Sequence, residues 1–535
     1  MKSRFFWQGI ALLACILMPS ADWAQVVHSQ ETLNDSALAD LMQARRTDWR
    51  NGAVVYQVMV DRFAPSTQLE KKRFLYPAPK KIVPWNSPAL RGTYQDSLHI
   101  WSHEIDFWGG DLPSVTGKLD YLKGLGVDVV YLNPIFNAYT NHKYDTQDYF
   151  QISPEFGTLQ DLHELGKKVH QFGMRLVLDG VFNHMGRNSK LFQVAERDPE
   201  SPFRDWFFFG SQFPGGARGW YQASNLPELN LENPEVRDYL FNGSNSVVQH
   251  YLRQDIDGWR LDVAPELGPI YLAELTRAAH LAKTNSLIIG EVPNYPKEWI
   301  PSLDGVINFT FRDIIINVLN GQINAATATR MLDRTIDDSG IEPIIKSWIM
   351  LDNHDNPRLA SLILDPGRRK LAQVLQFTLP GSPNLYYGSE LGMTGGDDPQ
   401  NRSPMRWDLV REDNQTLAFT KRLIALRREK QAIRFGNFRI VNSDRLLAFE
   451  RYTDKARDTV IVVVNPSKKM VMERVMIANS KLMNGTALKD ILNPHNAPVR
   501  VLASMITVSL PPYSAKILSP DMQWSGGYSA YKRVN

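Results

Sequence analysis

Gly258-Trp259-Arg260-Leu261-Asp262-Val263-Ala264 reads as a short buried strand that nevertheless carries an arginine and an aspartate two positions apart. Strand side chains alternate between faces, so Arg260 and Asp262 leave on the same side. Burying a carboxylate is costly unless it is paired, and Arg260 is the partner that would keep Asp262 ionised. An oriented carboxylate at a strand end is a candidate nucleophile. Taken alone, the stretch reads equally as a structural ion pair.

Comparable buried runs lie on both sides of it: 54–60 (VVYQVMV), 128–133 (DVVYLN), 175–181 (RLVLDGV), 286–292 (SLIIGEV), 305–309, 347–351 (SWIML) and 383–387 (PNLYY). Most are separated by stretches with apolar positions at helical spacing, such as 115–125. Eight short strands alternating with helices predict parallel pairing through right-handed crossovers, and eight units is the number that closes a barrel. A doubly wound open sheet is the alternative. Polar placement favours the barrel, because Asp179, Asp262, Glu291 and Asp355 each fall at or just past the C-terminal end of a strand. In a barrel those ends converge on one face.

The fold class expected is therefore an α/β (β/α)8 barrel spanning 51–435, with an inserted subdomain after strand 3 at about 185–230. That insertion holds seven aromatics between Trp206 and Tyr221, and a long loop of this kind is commonly functional. From about Phe438 the pattern changes to period two, which predicts a C-terminal antiparallel β-sandwich domain over 436–520. Residues 25–50 read as a mobile or loosely helical lead-in and 521–535 as a flexible tail.

Residues 1–24 have the layout of a secretory signal peptide: Lys2 and Arg4, an apolar run to Met18, then small residues. A secreted or periplasmic protein is expected. Cys15, the only cysteine, lies inside this leader, so the mature chain would have no disulfide. Leu12-Leu13-Ala14-Cys15 also resembles a bacterial lipoprotein site, which would make Cys15 a lipid anchor. Beyond export or such an anchor, no membrane role is read. A net charge of only +3 over 535 residues gives no reason to propose nucleic acid as a partner.

Four separated motifs, Asp179-Gly-Val-Phe-Asn183-His184, Gly258-Trp-Arg260-Leu-Asp262, Gly290-Glu291-Val292 and Asp352-Asn-His354-Asp355, follow one another as they do in glycoside hydrolase family 13, the α-amylase family, which the chain resembles. Cleaving a glycosidic bond takes two carboxyl groups, one attacking the anomeric carbon and one protonating the leaving oxygen. The resemblance makes Asp262 the nucleophile, Glu291 the acid/base and Asp355 the group that holds sugar hydroxyls and stabilises the distorted ring. Glu291 is expected to be kept protonated by its apolar strand and by neighbouring negative charges, and Asp262 ionised by Arg260. His184 and His354 are implied substrate contacts, Asp179 a support for Arg260, and Tyr144 an aromatic platform under a sugar ring. Asp398 and Arg402 match the family pair that binds a neighbouring glucose.

The nucleophile motif continues as Ala264-Pro265-Glu266, where many α-amylases carry a Lys-His pair. Leu226-Pro227-Glu228-Leu229-Asn230 lies nearer the neopullulanase and cyclomaltodextrinase branch, although about 50 residues before the first strand are too few for that branch's extra N-terminal β domain. No organic cofactor is implied. Calcium is the inorganic one, with Asn183 and Asn230 as oxygen donors, while the Asp-rich loop that binds calcium in some relatives is replaced by Ala64-Pro65-Ser66-Thr67. The function expected is an exported retaining hydrolase of α-1,4 links in starch, maltodextrins or cyclodextrins. A 4-α-glucanotransferase using the same intermediate is the alternative, and a non-catalytic glycan-binding barrel the reading from another class.

Overall fold

The computed structural model describes residues 35–523 and 527–534; the leader with Cys15 lies outside the described residues. Eight parallel strands close a barrel: β1 (Val55–Val58), β2 (Val129–Leu132), β3 (Arg175–Gly180), β4 (Gly258–Leu261), β5 (Leu287–Val292), β6 (Gly305–Asn308), β7 (Trp348–Met350) and β8 (Ser382–Tyr386). Each pairs with its sequence neighbours, and β1 closes the ring on β8.

Alternation along each strand separates two cores. Val55, Val129, Tyr131, Val177, Leu287, Ile289, Trp348 and Met350 fill the barrel, while Tyr56, Val130, Leu176, Trp259 and Ile288 join the larger layer under the helices. The inward set carries the site: register sets Arg260 of β4 beside Asp179 of β3 and Ile289 of β5, two residues before Glu291. At Gly258 a Cβ would lie 2.3 Å from the Leu287 carbonyl oxygen, so this close strand approach requires glycine.

Three excursions leave the C-terminal ends of the strands. One runs from 64 to 111 after β1. A second is the hairpin of Phe136–Ala138 with Thr146–Ile152 after β2. The third follows β3 and holds the aromatic stretch, with Phe207 bridged to Leu229 and His184 to Glu228. The stretch 115–125, read as one helical run, is divided into Leu112–Thr116 and Leu119–Leu125, broken at Gly117-Lys118.

A second unit follows the barrel: β9 (Asn437–Ile440), β10 (Leu447–Tyr452), β11 (Val460–Asn465), β12 (Val471–Met476), β13 (Ala487–Asp490), β14 (Val499–Arg500), β15 (Met505–Leu510) and β16 (Ser514–Asp521). A six-stranded antiparallel sheet, β9-β10-β11-β16-β13-β14, faces the ribbon β12-β15 across a core that includes Ala448, Ile461, Val471, Val475, Ile506 and Val508. The C-terminal β-sandwich is present as the alternation predicts.

The described residues of both terminal segments include buried side chains that their polarity does not suggest. In the segment read as a mobile or loosely helical lead-in, Asp35–Thr47 is a helix whose Arg45 is buried and pairs with Glu342 at 2.6 Å. In the segment read as a flexible tail, Tyr531 is buried and its hydroxyl accepts from the Met483 N–H at 2.7 Å. In each case one buried side chain with an apolar body and a polar tip reaches a partner distant in the chain, which local polarity does not reveal.

Candidate active site

At the C-terminal face of the barrel a cleft of about 580 Å³ is lined by Tyr144, His184, Asp262, Glu291, His354, Asp355, Asp398 and Arg402. All eight were singled out from sequence. Arg260 and Asp179 lie beneath them, fully buried.

Arg260 is the hub. Its Nη1 reaches Asp179 Oδ1 at 2.7 Å and Asp262 Oδ1 at 2.8 Å, and its Nη2 reaches Glu291 Oε1 at 2.8 Å. The period-two argument thus holds for Arg260 and Asp262. What it did not contain is that one guanidinium serves three carboxylates, because the other two come from neighbouring strands. The expectation that Arg260 simply keeps Asp262 ionised is corrected accordingly. Burial pushes the Asp262 carboxyl well above its ordinary range, Arg260 opposes this, and the charges of Glu291 and Asp179 add to it. Asp179 is pushed up to about 6 by burial, again against Arg260. Burial therefore pushes both Asp179 and Asp262 upward although each touches the same guanidinium.

Backbone geometry helps to aim Glu291. Val263 adopts φ +39°, a left-handed conformation unfavourable for a β-branched residue, and its N–H donates to Glu291 Oε2 at 3.1 Å. Strain of this kind, about 1–3 kcal/mol, persists where the surroundings fix it.

A chain of hydrogen bonds fixes Tyr144 and His354. Gln57 Nε2 donates to His354 Nδ1 at 2.9 Å, which assigns the ring proton to Nε2. That nitrogen meets the Tyr144 hydroxyl at 2.6 Å, and the hydroxyl donates to Asp179 Oδ2 at 3.0 Å. The Tyr144 and His354 rings lie within 3° of parallel. His184 stacks on Trp220 with centroids 5.4 Å apart, and its Nε2 has no hydrogen-bond partner among the described residues. Burial depresses its pKa to about 3, so it is a neutral ring with a free nitrogen at the cleft. Arg402 joins Asp355 at 3.0 Å and Asp398 at 3.1 Å, forming one polar wall.

This arrangement stands where comparison with known proteins also points. The family described as "Alpha amylase, catalytic domain" matches residues 57–436. The chain belongs to the α-amylase family. It is 34% identical to a cyclomaltodextrinase of Bacillus sp over 435 residues, 78% of this chain and 74% of that one. It is equally 34% identical over 455 residues to neopullulanase 2 of Thermoactinomyces vulgaris, 81% of this chain and 73% of that one. Among solved structures, the cyclic α-maltosyl-(1→6)-maltose hydrolase of Arthrobacter globiformis superposes with TM-score 0.74 at 28% identity, covering 89% of this chain and 99% of that one.

The two calcium candidates each hydrogen-bond within the protein. Asn183 turns its amide nitrogen to Glu266 Oε2 at 3.3 Å, while Asn230 donates to the Asp205 carbonyl at 2.9 Å and accepts from the Glu232 N–H at 3.2 Å. Among the described residues no group of three or more His, Cys, Asp or Glu is placed to hold a metal.

Several cleft residues escaped the sequence reading of the site: Glu104, His142, Asn294, Phe309 and Asn356. Glu104 belongs to the 64–111 excursion, whose length alone was a signal that it does more than connect. Trp220 and Glu266 join across the opposite wall, the indole N–H donating to Glu266 Oε1 at 3.0 Å. Tyr221, 83% exposed, stands at the mouth beside them.

Proposed function

We propose that the protein is a retaining hydrolase of α-1,4-glucosidic bonds in maltodextrins, cyclodextrins or starch. The observation that carries this reading is the pairing of Asp262 and Glu291 on one buried guanidinium at the floor of the cleft. Asp262 attacks the anomeric carbon while Glu291 gives a proton to the departing glycosidic oxygen. A covalent glycosyl-enzyme results, the free sugar leaves, and Glu291, now a base, takes a proton from the water that releases the second product. Tyr144 lies under the reacting ring, Asp355 and His354 hold its hydroxyls, and Asp398 and Arg402 hold the next glucose. No organic cofactor is required by these steps.

Purified protein incubated with maltotriose, β-cyclodextrin, pullulan and starch tests the reading, with the anomer of the new reducing end followed by NMR. The α-anomer is expected first. Glu291→Gln should lower kcat by about 10²–10⁴-fold, and Asp262→Asn should abolish turnover. Unchanged cleavage by Asp262→Asn, or release of the β-anomer, overturns the mechanism.

Transfer to a second sugar is a companion activity of the same intermediate, supported by the aromatic pair Trp220 and Tyr221 beside the leaving side. Oligosaccharides longer than the substrate, appearing at high maltotriose, would reveal it. The leader supports export, and cell fractionation with N-terminal sequencing of the mature chain checks whether cleavage falls near residue 24 or at Cys15.

A further inference from the structure

The contacts divide the cleft into two unlike halves. Glu291, Val263, Glu266 and Trp220 are joined on one side. On the other, Asp355 leads through Arg402 to Asp398, and Tyr144 leads through His142 to Glu104. If Asp262 attacks and Glu291 protonates as above, this second half receives the non-reducing part of the substrate. Aromatic walls mark the first half, and charged groups close the second.

Glu104 is built into position. It lies on the short turn Ser102–Ile105 of the first excursion, which the Asn141 loop clamps: Asn141 N–H donates to the Glu104 carbonyl at 2.7 Å, and its Nδ2 donates to the His103 and Asp106 carbonyls at 2.7 and 2.9 Å. One carboxylate oxygen accepts from the Trp101 N–H at 2.8 Å. His142 Nδ1 accepts from the Tyr144 N–H at 3.1 Å, which leaves the proton on Nε2, 3.6 Å from the other oxygen of Glu104. Burial acts to raise the pKa of Glu104, yet the His142 contact and the Trp101 N–H outweigh it and hold the group below its ordinary range. The result is a fixed, ionised acceptor that still faces the cleft.

Such an acceptor discriminates among glucose units. Inside an α-1,4 chain the 4-oxygen is an ether and has no hydrogen to donate. Only the non-reducing end offers the neighbouring 3- and 4-hydroxyls as a pair of donors. An aromatic platform accepts any ring, whereas a buried polar group left without its donor costs binding energy.

We propose that Glu104, oriented by His142, binds the hydroxyls of the terminal glucose and ends the donor side of the cleft, making the enzyme selective for chain ends with short products of uniform length. This rests on the hydrolase reading above. It assigns a substrate-contacting, specificity-determining role to a residue outside the motifs shared with the family.

The test compares native protein, Glu104→Ala and Glu104→Gln on maltohexaose, on maltohexaose whose terminal 4- and 6-hydroxyls are blocked as an acetal, and on β-cyclodextrin. Native protein should give one dominant short product at early times and cut the blocked substrate about 10-fold or more slowly. Glu104→Ala should lose about 10-fold in kcat/KM on free maltohexaose, spread its products, and treat blocked and free substrates alike, with Glu104→Gln between the two. Ring opening of β-cyclodextrin, which has no chain end to satisfy Glu104, should be slow in native protein and no slower in Glu104→Ala, while the thermal unfolding midpoint of each variant serves as the control for folding. Equal rates on blocked and free substrate with native protein, or an unchanged product spread in Glu104→Ala, overturn the chain-end role while leaving hydrolysis standing. Native protein that cleaves none of the three substrates overturns both.

Discussion

Three histidines line the cleft, and burial takes two of them, His184 and His354, out of the range in which histidine ordinarily titrates. His184 is held down to about 3, and His354 falls well below its usual value through burial and the nearby Arg402 charge. Neither changes charge between about pH 5 and 8, so both act as fixed hydrogen-bonding groups. The acid limb of the pH–rate profile is expected to follow Asp179 and Asp262, whose carboxyls burial pushes up beside Arg260. His184→Gln is expected to lower kcat/KM about 10-fold with the position of that limb unchanged; disappearance of the limb would return the titration to His184. Asp179→Asn removes one of the negative charges that raise Asp262, so the limb should move to lower pH as kcat falls. A shift to higher pH would contradict the electrostatic account. Much of this site was legible in sequence because Arg260, Asp262 and Glu291 sit at the ends of recognisable strands. The contact of Arg260 with Glu291 was not, since it depends on which strands lie side by side. Glu104 was hidden for a similar reason: its place is set by Asn141, far from it in the chain, within an excursion that has no period.

The loop that carries Tyr144 owes its shape to a buried element rather than to its own sequence. Lys143 is fully buried at φ +65°, with its ammonium 3.2 Å from Glu155 Oε2 and about 5 Å from the faces of Phe107 and Phe156. Lys80, from the first excursion, reaches the other oxygen of Glu155 at 2.5 Å. One carboxylate therefore locks the excursion after β1 to the hairpin after β2. Although burial acts against it, the two lysines hold Glu155 down to about 2, below its ordinary 4.5. A depressed carboxylate stabilises the fold above its unfolded pKa and loses that contribution as pH falls through the folded value, so the loss should lie between about pH 4.5 and 2. Glu155→Gln should destabilise the protein by about 3–5 kcal/mol at pH 7 and flatten the dependence of urea stability on pH in that window. Equal midpoints for variant and native protein at pH 7 would sink the idea. At this scale the eight barrel strands were readable from their apolar runs and turn residues. The helix Asp35–Thr47 was legible only as a loosely helical lead-in, because its anchoring comes from Arg45 meeting Glu342 and the Phe435 carbonyl rather than from a strong apolar stripe.

Across the whole molecule, the β-sandwich is fastened to the barrel at the end opposite the cleft. Arg451 of β10 donates to the carbonyls of Thr378 and Ile433 at 2.8 and 3.0 Å and of Gly436 at 2.9 Å. Arg427, on the helix Gln415–Glu429, donates to the carbonyls of Gly52 at 3.0 Å and Phe377 at 2.8 Å. Gly52 precedes β1, and Phe377 and Thr378 end the helix that leads into β8, so both guanidiniums sit at the N-terminal rim of the barrel. In barrels of this kind that rim serves stability, while the opposite one carries the chemistry. Both side chains are buried and meet carbonyl dipoles rather than a close carboxylate, so truncating either leaves several buried acceptors without donors. Arg451→Ala should therefore cost about 3–5 kcal/mol and let the β-sandwich melt before the barrel, turning one calorimetric transition into two. Because the lost contacts lie at the far rim, kcat on maltotriose at 25 °C should stay within about twofold of native. A variant with native melting behaviour but a large fall in kcat would mean that the rim is coupled to the cleft, and the separation of stability from chemistry argued here would be wrong.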